Sequence, residues 1–179
     1  MNEMIAKRRS IRKYQSDPIG RDVIERILAA GFQAPSALGK EPWEFLVVTD
    51  QKAKEYIANM SAYAWMASSA PVVILVLADI DREPQEGWLV QGVAACCENI
   101  LLQITSEGLG GVWLGVYPKK ERCKTLQIYF NIPQHLIPFA AIPFGKKGKE
   151  KDPINRFDTS RIHFNLYPDK SEGTDEDAL

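Results

Sequence analysis

From Pro71 to Ala78 the chain reads Pro-Val-Val-Ile-Leu-Val-Leu-Ala, with no polar side chain in the stretch. Successive side chains of a strand point to opposite faces, so a run that is apolar at odd and even positions alike leaves neither face for water. Val72 to Leu77 therefore reads as a strand buried on both sides. The run is far too short to span a bilayer. A chain of 179 residues, about one domain in length, can build the core that such a strand needs.

The flanking patterns supply the other elements. Asn2 to Lys7 fits a short helix. After a turn at Asp17-Pro18, Val23, Ile24, Ile27 and Leu28 recur at helical spacing up to Gly31. Ala34-Pro35-Ser36 marks a loop, Phe45 to Thr49 a compact strand, and Gln51 to Asn59 a helix. Trp88 to Glu107 is the longest helical pattern, with an apolar stripe of Leu89, Val93, Cys96, Ile100 and Ile104. Gly92, Ala94 and Ala95 keep a second side slim, as a central helix or a subunit contact requires. Gly108-Leu-Gly-Gly111 ends it, and Val112 to Val116 is expected as one strand, Lys119 to Phe130 as a helix and Phe139 to Phe144 as a strand. Beyond Arg161 the chain reads as extended or irregular. Residues 1–168 form one domain, and the acidic tail 169–179 is expected to be disordered. Strands alternating with helices give an α/β or α+β fold.

Charge and cysteine usage narrow the function. Net charge is −1, from 22 basic and 23 acidic residues, so no global field draws in nucleic acid, and no stacking-plus-basic stripe replaces one. Cys96, Cys97 and Cys123 are odd in number, and His135 and His163 lie far apart in sequence, so neither a disulfide framework nor a zinc site is indicated. Reduced thiols in the cytoplasm, no membrane association and no metal are the expectation. Met1 to Ser10 lacks the apolar stretch of a signal peptide.

Two segments concentrate ligand-binding chemistry. Arg8-Arg9-Ser10-Ile11-Arg12 gathers three guanidiniums and a hydroxyl, donors suited to a phosphate monoester. In an extended segment Arg8, Ser10 and Arg12 point to one side. A solvated basic run after a helix explains the same residues. Ala34 to Phe45 is a loop of small residues and prolines whose backbone could approach a flat ligand, with Ser36 as a polar contact. An ordinary connection before a strand reads equally well. Gly108 to Gly115 superficially suggests a dinucleotide-binding turn, but it follows a helix and opens a strand, the reverse of what that site needs. Tyr63, Trp65 and Met66 fit either a pocket wall or the core.

In order along the chain, Arg-Arg-Ser-x-Arg, Ala-Pro-Ser-Ala running into Pro-Trp-x-Phe, the Gly-Leu-Gly-Gly turn and the ending Arg156-Phe-Asp-Thr-Ser-Arg-Ile-His163 resemble the nitroreductase family, over residues 8 to 163. The resemblance implies an α+β fold, with a central, mostly antiparallel sheet flanked by helices, in a domain-wrapped homodimer. Each subunit interface would hold flavin mononucleotide (FMN), with NAD(P)H as electron donor. By motif match, Arg8, Arg9, Ser10 and Arg12 would contact FMN, Arg8 at the phosphate and Arg12 at the N1–C2 carbonyl edge, where a cation favours the reduced ring. Pro35, Ser36 and Ala37 would reach it from the partner subunit. Trp113, Leu114 and Gly115 match the strand over the ring, with the Gly115 N–H donating to N5. Arg156 and Lys146 match further phosphate ligands, and Glu41, Tyr63 and Trp65 would border the substrate pocket.

The chain departs from the family pattern at Gly39 and Glu41, where many relatives carry Asn and Gln, and at Gly115, where better-studied relatives carry Glu. Ile142-Pro-Phe-Gly-Lys146 also replaces a Gly-Tyr-Pro-Glu pattern. These changes bear on substrate choice rather than on FMN. The reaction implied is ping-pong transfer from NAD(P)H to a nitroaromatic, quinone or enone. A reductive dehalogenase, a flavin-fragmenting enzyme or a non-catalytic FMN-binding protein are the alternatives; the short Ile80 to Trp88 segment leaves little material for the lid of a specialised enzyme.

Overall fold

In the computed structural model, which describes residues 1–167, the double-sided strand is β2 (Val72–Asp79), and all of its residues are buried. It is central to a five-stranded sheet, with β1 (Trp43–Val48) antiparallel on one side and β5 (Leu136–Gly145) antiparallel on the other. Outside β5 lie two short strands, β3 (Gly110–Gly111) and β4 (Leu114–Gly115), both antiparallel to it. Alternation along β2 builds two cores. Val72, Ile74 and Val76 face Ile24 and Ile27 of α2 (Arg21–Phe32) and Val93, Ile100 and Ile104 of α5 (Glu86–Ser106). Val73, Leu75 and Leu77 face Ile57 of α3 (Gln51–Ala58), Met66 of α4 (Met66–Ser69) and Leu126 of α6 (Lys120–Phe130). This is the expected α+β arrangement of an antiparallel sheet flanked by helices. The acidic tail lies outside the described residues.

Local chemistry sets the element ends. Asn2 caps α1 (Glu3–Lys7) by accepting the Met4 N–H at 2.9 Å, and Asp50 caps α3 by accepting the Ala53 N–H at the same distance. By length and composition α5 could cross a membrane, but its apolar stripe is buried in the first core. Its slim side receives the 34–41 loop: a Cβ on Gly92 would lie 3.4 Å from Cβ of Ser36 and 3.7 Å from the Trp43 ring. The register of β2 against β5 shifts at Val76/Leu77, and the adjacent Phe139 and Ala140 both join the first core.

The expected strand over Val112 to Val116 is instead divided. The Val112 N–H bonds the Pro143 carbonyl at 3.2 Å, but Pro143 has no N–H to return. The ladder lapses there and resumes at Leu114 opposite Ala141. On the same edge the N-terminal segment docks. Ser10 pairs in parallel with Gly111, the Ile11 N–H donates to the Gly111 carbonyl at 3.0 Å, and Ile11 is buried. The Tyr14 hydroxyl sits 2.7 Å from the Ile11 carbonyl and 3.0 Å from that of Pro143, and burial raises its pKa well above the ordinary tyrosine value.

Gly110 is what lets this segment lie flat, since a Cβ there would come within 2.7 Å of Ile11 Cβ. Gly110→Ala is expected to destabilise the fold by about 1–3 kcal/mol through overpacking. Gly115→Ala, where the added methyl meets nothing within 4 Å, should stay within about 0.5 kcal/mol of wild type. Urea midpoints of the two variants check the contrast.

Candidate functional site

Beside β4 the molecule opens into a cleft of about 470 Å³. Arg12 enters from the docked N-terminal segment, Tyr63, Trp65 and Met66 from the turn into α4, Trp113, Leu114 and Gly115 from the broken strand, and Arg122 from α6. Seven residues singled out from the sequence thus share one wall system: Arg12, Tyr63, Trp65, Met66, Trp113, Leu114 and Gly115. The N–H groups of Val112 and Val116 bond the Pro143 and Phe139 carbonyls of β5. Alternation therefore turns the Gly115 N–H away from β5, on the edge that borders the cleft. Its carbonyl accepts from Arg122 Nη1 at 3.1 Å.

The basic residues divide into two groups. Arg8 is tied to Glu98 of α5 at 3.1 Å and Lys146 to Asp17 at 2.8 Å, in partly exposed pairs of small net strength. Arg9, Arg12, Lys149 and Lys151 have no carboxylate within salt-bridge distance among the described residues. Lys151 Nζ donates to the Ser10 carbonyl at 2.8 Å. Burial first, then the charges of Arg12, Arg9 and Lys149, holds its ammonium pKa below the ordinary lysine value. Uncompensated cations collected around Ser10 are what an anion would be drawn to. Arg8, Ser10 and Arg12 do not line a common pocket, and Arg156 lies in the exposed 152–167 segment away from the cleft lining.

Comparison with known proteins meets this geometry. The nitroreductase family model matches residues 5–69 and 63–146, which span both the docked N-terminus and the β4 edge. The chain belongs to the nitroreductase family. A relative from Methanothermobacter thermautotrophicus with the provisional name NADH dehydrogenase/NAD(P)H nitroreductase is 41 % identical over 165 residues, covering 92 % of this chain and 86 % of its own length. A provisionally named NADH oxidase from Clostridium acetobutylicum superposes with a TM-score of 0.88 at 40 % identity, over 92 % of this chain and 100 % of that one. A provisionally named nitroreductase from Desulfovibrio desulfuricans, solved in complex with FMN, superposes with a TM-score of 0.82 at 29 % identity, over 93 % and 96 %.

Within this family fold, the 34–41 loop stands apart from its own chain's cleft. Ser36 Oγ accepts the Glu41 N–H at 2.9 Å, so that hydroxyl oxygen is engaged within the loop. Leu38 (φ 55°), Gly39 (φ 64°) and Glu41 (φ 47°) all adopt left-handed backbone, a strain for the two residues with a Cβ. Leu38 is 86 % exposed. What holds the loop is an ion pair that sequence reasoning missed. Lys40 Nζ lies 3.0 Å from Oε2 of Glu83, which is 1 % exposed, and Glu83 Oε1 accepts the Gln85 N–H at 2.9 Å. No periodic signal marks this pair, because Lys40 and Glu83 lie in loops 43 positions apart. Arg122 and Lys151 were missed for a related reason: only the fold brings them to Gly115 and Ser10.

The remaining candidates carry little chemistry. Burial pushes the Cys96 thiol up to about 12 and raises those of Cys97 and Cys123, so all three are poor nucleophiles. Asp79, Asp81 and His135 offer ligand atoms within 4.8 Å of one another. Asp79 Oδ1, however, already accepts the N–H groups of Asp81 and Arg82, and Oδ2 faces the Arg82 guanidinium at 3.4 Å.

The Gln85 N–H first, and then Lys40, holds the Glu83 carboxyl below its ordinary pKa of 4.5 against the opposing effect of burial. A carboxyl lowered on folding contributes stability that is present above its unfolded value and lost as pH falls through its folded one. Glu83→Gln is therefore expected to lower the urea midpoint at pH 7, with the gap to wild type shrinking as pH falls below about 4.5. Equal gaps at pH 7 and pH 3.5 would contradict the assignment.

Proposed function

We propose that the cleft beside β4 holds the ring of FMN and that the protein, as a homodimer, passes electrons from NADH or NADPH to a small oxidised acceptor such as a nitroaromatic, quinone or enone. The observation that carries this reading is the Gly115 N–H, turned away from its sheet partner beside Trp113 and Arg12. A flat ring set against this edge would find a backbone donor for N5 and a guanidinium for its N1–C2 edge. Ser10 with Arg8 and Arg9 would hold the phosphate, joined by Lys146 and Arg156. The cations around Ser10, which have no carboxylate partner among the described residues, and the weak pairs of Arg8 and Lys146 fit that task. The FMN in the Desulfovibrio relative supports it further.

FMN, when bound, supplies the hydride and electron chemistry; the chain's own residues orient it, tune its charge and limit access. Donor and acceptor would take the same cleft in turn, which is the ping-pong scheme. No side-chain nucleophile is required, in keeping with three buried, high-pKa thiols. Two features favour a homodimer. Pro35, Ser36 and Ala37 do not line the cleft of their own chain, and they sit beside the exposed Leu38. In the 152–167 segment Phe157, Phe164, Leu166 and Tyr167 are exposed apolar surface of the kind a second protomer covers. The turn after β2, held by Asp79 and Glu83, offers no long lid, which favours a general reductase over a specialised one. Buried free thiols suit a cytoplasmic site of action.

The purified protein should show a flavin absorption band, or acquire one on addition of FMN, and bleach anaerobically with NADH or NADPH. Failure to bind FMN would remove the reading. Arg12→Gln should lower the midpoint potential of bound FMN, by about 30 mV for each 1.4 kcal/mol of lost stabilisation, and Arg12→Lys should restore most of it. Potentiometric titration of the three proteins decides this.

A further inference from the structure

The cleft contains a second guanidinium that the proposed flavin contacts do not employ. Arg122 lines it from α6, and Arg12 lines it from the N-terminal segment. One of its five N–H donors goes to the Gly115 carbonyl at 3.1 Å, which anchors the side chain to β4. No carboxylate lies within salt-bridge distance of it among the described residues, and none is among the residues lining the cleft. The cleft it lines is shared with Tyr63, Trp65, Trp113, Met60 and Met66, as well as Arg12, and its remaining donors have no carboxylate there to take them. Aromatic walls select a planar partner, and an anchored cation beside them selects a negative group on that partner. Gly115 adds no side chain to the cleft wall, and a Cβ there would meet nothing within 4 Å.

We infer that Arg122 is a specificity-determining residue that selects acceptors in which a planar aromatic system carries a carboxylate. This rests on the reading of the cleft as the flavin site. The same chemistry would attract a phosphate of the nicotinamide donor, and the test separates the two sources.

The probes are 4-nitrobenzoate and its neutral analogue 4-nitrobenzamide, each reduced by the FMN-loaded protein under anaerobic conditions. Each turnover consumes one NAD(P)H and one proton and converts the nitro group to nitroso with release of water. The wild type is expected to favour the benzoate in kcat/KM. In Arg122→Gln, which keeps a donor for the Gly115 carbonyl but loses the charge, the benzoate-to-benzamide ratio should fall about tenfold. Arg122→Lys should recover part of it, and the NADPH-to-NADH ratio should be the same in all three proteins. A ratio between acceptors that is unchanged in Arg122→Gln would overturn the inference, leaving the residue as a prop for β4. A change confined to the NADPH-to-NADH ratio would also overturn it, assigning Arg122 to the donor's phosphate. The FMN titration and anaerobic bleaching come first: a protein that takes no FMN loses both readings, whereas one that is loaded and reduced but shows a flat acceptor ratio loses only this one.

Discussion

The ladder between β2 and β5 is the constraint from which the rest of the structure follows. Alternation along it feeds two cores at once, so neither strand can slip by one residue without exchanging the side chains offered to α2 and α5 for those offered to α3, α4 and α6. That fixes β5, and the outer edge of β5 is where the cleft is made. Pro143 withholds one backbone donor on that edge, and the neighbouring chain answers with two short strands rather than one. Trp113 stands at this break and Gly115 just beyond it. A covalent property of one residue in β5 thus shapes the edge strands beside it.

The charges follow a similar logic. A chain of net charge −1 can neutralise most of its cations locally, and on α2 it does so through Arg21–Glu25 and the links from Arg26 to Asp22 and Glu107. Around Ser10 it does not. Arg9, Arg12, Lys149 and Lys151 come together with no carboxylate within salt-bridge distance among the described residues, and Lys151 donates to the Ser10 carbonyl. Their mutual repulsion disfavours the folded segment, and a bound anion, such as the proposed flavin phosphate, would offset it.

Much of this was legible in the sequence, for reasons that differ by feature. The two-faced strand, the stripe of α5 and the α3 helix follow from periodicity, which reports burial directly. Arg12, Trp113, Leu114 and Gly115 follow from a resemblance, and they do meet in one cleft. The break at Val112 was not legible, because it depends on which residue of another strand stands opposite; Pro143 is visible in the sequence, but its register is not. Glu83, Lys40, Arg122 and Lys151 were equally hidden. Each acts through a partner distant in sequence or on another element, and a lone charged residue in a loop or on a helix face carries no mark of its partner. The expectation that Arg8, Ser10 and Arg12 share a side rests on an extended segment; Ser10 pairs with Gly111, while Arg8 reaches Glu98 and Arg12 lines the cleft, contacts that no local pattern announces.

Gly115 brings these strands of argument to one residue. Its backbone is not left-handed and a Cβ would meet nothing nearby, so neither conformation nor packing demands glycine there. What the position does use is its main chain: the carbonyl that holds Arg122, with the N–H proposed for the flavin on the cleft side. A glutamate, as in better-studied relatives, would set a carboxylate beside Arg122 and give that guanidinium an internal partner. Glycine leaves the cation open and the cleft wider at the same stroke. The backbone contact proposed for the flavin is indifferent to this exchange, while the surface presented to an acceptor is not. On the proposed reading, substrate choice is the property on which this departure from the family pattern bears.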